Sequence, residues 1–185
     1  MTAYFAWEAA LLLWIQNHLR VPVLTPIITA VTHLGDHGLF WILLTVFLLI
    51  LPKTRKAGLA SALALIFSLI INNIILKNAI ARVRPYELIQ GLELIVARAT
   101  DYSFPSGHTG ASFASALAMF PDIPRPWNIV LVILASVIAF SRLFVGIHYP
   151  TDVLGGLVTG MLAAWLARLL LPRLCTLFTK KEVSK

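Results

Sequence analysis

A single cysteine, Cys175, is all the thiol the chain has, which excludes an intrachain disulfide framework and a thiolate metal cluster. Charge is scarce as well. Asp, Glu, Lys and Arg make up 12% of the 185 residues, about half the share of an ordinary soluble domain. Acidic residues are scarcer than basic ones, 8 against 15, which leaves a formal charge of +7. No basic stretch is interleaved with aromatics, so the excess does not mark a nucleic-acid-binding module, and no nucleic-acid partner is expected. The N-terminus has neither a basic n-region nor a small-residue cleavage site, so no removable leader is expected there. Internal repeats and low-complexity segments are missing too.

What fills the chain instead is apolar sequence, 59% of it, in runs approaching the roughly 20 residues that cross a bilayer. The expected fold is all-α: a polytopic transmembrane helical bundle of about five spans, forming a single membrane-embedded domain over residues 1–185. The spans read as 37–51, 57–76, a short helix 108–120, 127 to about 144, and 150–171. The short third one measures only about 20 Å at 1.5 Å per residue and needs other helices to shield it. Pro22 and Pro26 break residues 1–34 into two short interfacial helices, with Tyr4, Trp7 and Trp14 at headgroup depth. The 77–105 connection is the longest polar one, and its Leu88, Ile89, Leu92, Leu94, Ile95 and Val96 are expected to rest on the membrane surface. Asn72 and Asn73 are expected to bond to neighbouring helices, and Gly156 with Gly160 to permit close helix packing. A basic tail, 172–185, closes the chain.

Five spans sort the charges. The 52–56 turn, the 121–126 turn and the C-terminal segment carry nine basic and two acidic residues, whereas the opposite side carries six of each. The positive-inside rule makes the first side, with the C-terminus, cytoplasmic. The 77–105 loop and the 141–152 turn then share the extracytoplasmic face.

Three polar stretches meet on that face. In the turn between the last two runs, Arg142, His148 and Asp152 stand where ionisable side chains are costly and usually functional. Pro150 suits the first position of a helix, which puts Asp152 in its first turn, within reach of His148. A carboxylate accepting one imidazole N–H fixes the tautomer and leaves the other nitrogen as base or nucleophile. The second stretch, Pro105-Ser106-Gly107-His108, opens the short helix. Ser106 is a natural N-cap, Gly107 lets an oxyanion approach the backbone, and the free amides of a helix start cradle phosphate. The third, Lys77 to Pro85, reads by itself as a snorkelling lysine with interfacial arginines. Beside the other two, Lys77, Arg84 and Arg142 supply the charge that a phosphoryl group needs in flight.

Lys77-x6-Arg84-Pro85, then Pro105-Ser106-Gly107-His108, then Ser141-Arg142-x5-His148-x3-Asp152, in this order, resembles the three-part signature of the type 2 phosphatidic acid phosphatases. That family shares a superfamily with vanadium haloperoxidases and bacterial non-specific acid phosphatases. The resemblance covers residues 77–152 and implies a helical bundle, a phosphohistidine intermediate, and a reaction with no metal or other cofactor. It assigns His148 as nucleophile, Asp152 as its orienter and His108 as the acid for the leaving oxygen. Lys77, Arg84, Ser106, Gly107, His108 and Arg142 would hold the phosphate.

The expected activity is therefore hydrolysis of a lipid phosphate at the outer face of a cell membrane, with membrane lipids as surroundings. Undecaprenyl diphosphate is the leading substrate; phosphatidylglycerophosphate and phosphatidate are the alternatives. A transporter would spread ionisable residues towards the midplane, and here they cluster at span ends. A vanadate-dependent peroxidase would share the anion site, but generating an oxidant fits a small lipid-embedded chain poorly. His33, Asp36 and His37 read as polar groups lining the mouth rather than metal ligands, and Arg82 and Arg98 as contacts to a diphosphate or to lipid headgroups.

Overall fold

The chain is all-α in a computed structural model. It describes residues 5–183, with side chains as far as Arg173. The expectations for Tyr4, Cys175 and the lysines of the 172–185 tail lie outside these described residues and side chains. In order, the helices are α1 (Ala6–Leu19), α2 (Leu24–Leu34), a 3-10 turn (Asp36–Gly38), α3 (Leu39–Ile50) and α4 (Arg55–Ser68). A π-helical stretch (Leu69–Leu76) then leads into α5 (Lys77–Ile80), followed by α6 (Pro85–Leu88), α7 (Gly107–Met119), α8 (Trp127–Phe144) and α9 (Pro150–Val183).

Three stretches are long and apolar enough to cross a membrane: Arg55–Leu88, Trp127–Phe144 and Pro150–Arg173. A fourth appears if Leu24–Leu34 and Asp36–Ile50, bent by 48°, count as one broken span. The expected first span is thus the second limb of that bent pair. The expected third, α7, has only 13 residues and does not reach the length of a crossing helix, so three to four candidate spans stand where about five were expected.

Polarity is distributed as lipid demands. Leu39, Ile42, Leu43, Val46 and Phe47 of α3 and Leu154, Val158, Leu162 and Trp165 of α9 face outward. Inside, Ala60, Ala64, Ala114, Ala118, Ala163 and Ala167 let helices approach closely, and hydroxyls bond across them. Thr45 meets Ser61 at 2.6 Å, Ser61 meets Ser115 at 2.7 Å, and the Trp41 indole donates to Ser112 at 2.8 Å.

Short α7 is the central helix, packed on α4, α8 and α9. A β-carbon on Gly156 would lie 2.6 Å from the Ser106 carbonyl oxygen, and one on Gly160 2.8 Å from that of Gly110. The expected close packing is therefore the α7–α9 contact. Asn72 departs from its expectation: its amide donates to Ser68, one turn earlier on its own helix run, at 3.1 Å.

The 77–105 loop also differs. Ile89 and Leu92 are buried with Leu12 of α1 and Tyr149, and Leu94, Ile95 and Val96 pack on Ile15, Phe144, Val145 and Ile147. These side chains are satisfied by α1 and the 143–149 turn rather than by a membrane surface. Arg20 fastens the arrangement by donating to the carbonyls of Phe144 and Glu93, each at 2.8 Å. The loop is thereby a lid of protein over one end of the bundle, and the polar stretches gather under it.

Candidate active site

Helix α7 begins as its sequence requires. Ser106 is extended (φ −68°, ψ 110°) and its Oγ accepts from the Thr109 amide at 3.4 Å and from the Thr109 hydroxyl at 3.0 Å. Having accepted twice, the Ser106 hydroxyl keeps its own proton to donate. The amides of Gly107 and His108 precede the first helical hydrogen bond, at the positive end of the dipole. The Ser106 amide donates to the Asp152 carbonyl at 3.0 Å, which ties the start of α7 to the start of α9.

At the start of α9, Pro150 is the first helical residue and the Asp152 carboxylate folds back to accept the Tyr149 amide at 2.9 Å. The same oxygen accepts the Ser103 hydroxyl at 2.5 Å and lies 3.4 Å from His148 Nδ1. With Nδ1 turned to Asp152, Nε2 is the nitrogen turned away from the carboxylate, and Arg84 Nη1 lies 3.4 Å from it. Burial, set against the bond to Asp152 and reinforced by the Arg84 and Arg142 charges, lowers the His148 pKa to about 3. The ring is therefore a neutral, desolvated imidazole at any ordinary pH.

The cations surround it. Arg84 donates to the Ile147 carbonyl at 2.9 Å, to the Asp101 carbonyl at 3.0 Å and to the Asp101 carboxylate at 2.5 Å. Lys77, at the end of the π-helical stretch, pairs with the same carboxylate. Burial opposes ionisation of Asp101, but the Lys77 and Arg84 charges outweigh it and hold its pKa below the ordinary carboxylate value. Arg142 donates from Nη1 to Thr32 at 2.5 Å, while its buried Nε has no acceptor among the described residues. An unsatisfied buried guanidinium N–H is costly unless an anion arrives to accept it.

All the residues singled out by sequence lie together at this end of the bundle: Lys77, Arg84, Ser106, Gly107, His108, Arg142, His148 and Asp152. One reading needs correction and another is extended. Arg82 does not reach for a headgroup. It is buried, donating to Asp152 at 2.7 Å, Glu8 at 2.7 Å and Thr151 at 2.6 Å, with its guanidinium 3.9 Å from the centre of the Tyr149 ring. Arg98 lies over the Tyr86 ring, 5.6 Å from its centre. Asp36 is more than a mouth-lining group, because its Oδ1 is 3.0 Å from His108 Nε2 and its Oδ2 is 2.7 Å from His33 Nδ1. His37 is exposed, with φ +52°. Among the described residues no group of three or more His, Cys, Asp or Glu side chains is placed to hold a metal ion.

Sequence reasoning missed Glu8. Its fully buried carboxylate accepts from the Phe5 amide, Arg82, and both the amide and the hydroxyl of Thr151. A lone carboxylate inside an otherwise apolar run was the available signal.

Comparison with known proteins agrees with the geometry. The model of the PAP2 superfamily matches residues 57–174. An undecaprenyl-diphosphatase of Sulfolobus acidocaldarius is 31% identical over 127 residues, 69% of this chain and 61% of that protein. Undecaprenyl-diphosphatase BcrC of Bacillus subtilis is 34% identical over 145 residues, 78% of this chain and 73% of the relative. Among solved structures, the transmembrane PAP2 type phosphatidylglycerolphosphate phosphatase of Bacillus subtilis superposes with a TM-score of 0.72 at 27% identity, covering 88% of this chain and 83% of that one.

Proposed function

This chain belongs to the PAP2 superfamily, and from that premise we propose that it is a membrane lipid phosphatase working through a phosphohistidine. The observation that carries the reading is the set of cations around His148 Nε2. Lys77 and Arg84 share one carboxylate, and the buried Arg142 Nε has no acceptor among the described residues. Three cations and the start of α7 suit the equatorial oxygens of a phosphoryl group in transfer.

His148 Nε2 attacks phosphorus, forming a P–N bond as the P–O bond to the lipid breaks, and His108 protonates the departing oxygen. Water then attacks the phosphohistidine, giving its proton to His108, and the P–N bond breaks to release inorganic phosphate. Asp152 holds Nδ1–H and compensates the charge that develops on the ring. His108 gives one proton and regains one, so the cycle closes on water alone.

Undecaprenyl diphosphate is the substrate best supported, since two of the relatives above are undecaprenyl-diphosphatases. Phosphatidylglycerophosphate is the second reading, favoured by the structural likeness to a phosphatase of that lipid, with phosphatidate beside it. The site lies at one end of the apolar helices, where a headgroup enters while its tail stays in lipid. The positive-inside distribution supports an orientation with this end outside the cell and the C-terminus in the cytoplasm. In this arrangement α7, shielded on three sides, counts with the bent pair and the three long helices as a five-pass domain. α1 lies at the interface, with Trp7 and Trp14 outward.

The test is turnover by the purified protein, with chelator present, of undecaprenyl diphosphate, phosphatidylglycerophosphate, phosphatidate and a soluble ester in one detergent. The lipids should exceed the soluble ester in kcat/KM, because remote tail binding positions the phosphate. Equal rates on lipid and soluble ester defeat the lipid assignment. Dependence on an added divalent ion defeats the mechanism.

A further inference from the structure

His33 and Asp36 lie three residues apart and His108 lies 72 positions beyond Asp36, yet the three form a continuous chain of contacts. His33 Nδ1 lies 2.7 Å from Asp36 Oδ2, and Asp36 Oδ1 lies 3.0 Å from His108 Nε2. Their exposure falls in the same direction, from 56% to 44% to 19%. The backbone is shaped to bring them together. The run from α2 to α3 is bent by 48° at Gly35–Gly38, where His37 and Gly38 have φ of +52° and +69°. A β-carbon on Gly35 would lie 2.5 Å from the His108 ring. The break in this apolar run thus costs two left-handed residues and admits the His108 imidazole against Gly35, with Asp36 on its Nε2.

We infer that Asp36 is the orienting carboxylate of His108, with His33 holding Asp36 in turn, so that the leaving-group acid has its own His–Asp pair. The inference rests on the phosphatase reading. With Nε2–H donated to Asp36, Nδ1 is the nitrogen that carries the transferable proton. To act as an acid, His108 must be an imidazolium; burial opposes that form most, and the charges of Arg142 and Lys77 nearby add to the opposition. Asp36 is the negative charge placed to offset them. It touches neither phosphorus nor the leaving oxygen, so it is a positioning residue that acts through His108.

A role confined to the leaving group has a signature that a loss of packing lacks. Departure of an alkoxide from phosphatidate needs a proton, whereas departure of nitrophenolate from p-nitrophenyl phosphate needs it far less. The purified Asp36→Asn protein should lose roughly 10- to 100-fold in kcat/KM on phosphatidate, a fraction of a full general-acid contribution, and only about threefold on p-nitrophenyl phosphate. His33→Ala should show the same ordering with smaller losses, and it carries the test if Asp36→Asn does not fold. Equal losses on both esters, or none on either, overturn the inference while leaving the phosphatase reading in place. A wild-type protein inactive on both esters and on undecaprenyl diphosphate removes that reading and this one with it.

Discussion

His148 and Asp152 are 2% and 0% exposed, whereas the second histidine–carboxylate pair at this end of the bundle, His108 and Asp36, is 19% and 44% exposed. The difference suits the role proposed for each. A nucleophilic imidazole has to be neutral and stripped of water, and burial accomplishes both. A group that protonates a leaving oxygen and then deprotonates water has to stay in touch with solvent. The surroundings follow the same division. Asp152 is held by Arg82, Ser103 and the Tyr149 amide, with Glu8 behind Arg82. Asp36 is held by one exposed histidine. The buried pair is thus built into the fold, while the open pair is attached to its rim.

Breaking the buried pair should have the largest effect. His148→Ala should lower turnover roughly 10⁴-fold or more, as loss of a covalent nucleophile does, with the melting temperature reported beside the rate because the ring is buried. Near-normal activity would remove the nucleophile assignment and with it the contrast between the pairs.

Arg82→Ala comes next, with its main effect on stability. It strips two buried carboxylates, Glu8 and Asp152, of the cation they share, and breaking such a network costs roughly 3–5 kcal/mol. Denaturant or thermal unfolding in detergent measures it. The double variant Arg82→Ala, Glu8→Gln should recover part of the loss, since one stranded charge is gone. A wild-type melting curve for Arg82→Ala would mean that the network is not what holds the buried pair.

The pH response sharpens the comparison further. A His148 pKa lowered to about 3, against about 6.5 in an unfolded chain, means that the unfolded state binds the extra proton first. Stability from this group is complete above about pH 6.5 and declines as pH falls towards about 3. Catalysis carries the same sign: His148 stays a free base through mildly acidic pH, so its protonation does not set an acid limb near pH 6. NMR titration of labelled imidazoles checks this directly, and a His148 midpoint near 6.5 would contradict the burial argument.

The local half of this architecture was legible in the sequence. Pro150 and Asp152 open a helix by their own chemistry, Ser106 caps another, and the three-part spacing from Lys77 to Asp152 points to one anion site. What was not legible depends on distance along the chain. Asp36 reaches His108 across 72 positions and Glu8 reaches Thr151 across 143, and no local period encodes either contact. Ile89, Leu92, Leu94, Ile95 and Val96 of the 77–105 loop were misplaced for the same reason, whereas Leu88 is exposed. A leucine that packs under α1 and one that rests in headgroups look identical until α1 is positioned. The span count turns on α7, whose 13 residues are too few for a crossing helix by length alone, and whose three packing partners are what allow so short a helix in the middle.

The smallest effect concerns Asp101, which stands on the nucleophile's side and belongs to neither pair. Its carboxylate bridges Lys77 and Arg84, the same charges a phosphate needs, so an incoming anion must displace it. A half-exposed carboxylate is screened by water, and such pairs contribute at most about 1 kcal/mol. Asp101→Asn should therefore tighten competitive inhibition by orthovanadate only about two- to fivefold, with a parallel fall in KM and little change in kcat. Asp36→Asn should do the reverse, sparing KM and lowering kcat, because it acts on the leaving group rather than on the bound phosphate. If Asp101→Asn instead weakens vanadate, the carboxylate is a support that keeps Lys77 and Arg84 in place, and the nucleophile's side then depends on carboxylates at both of its edges.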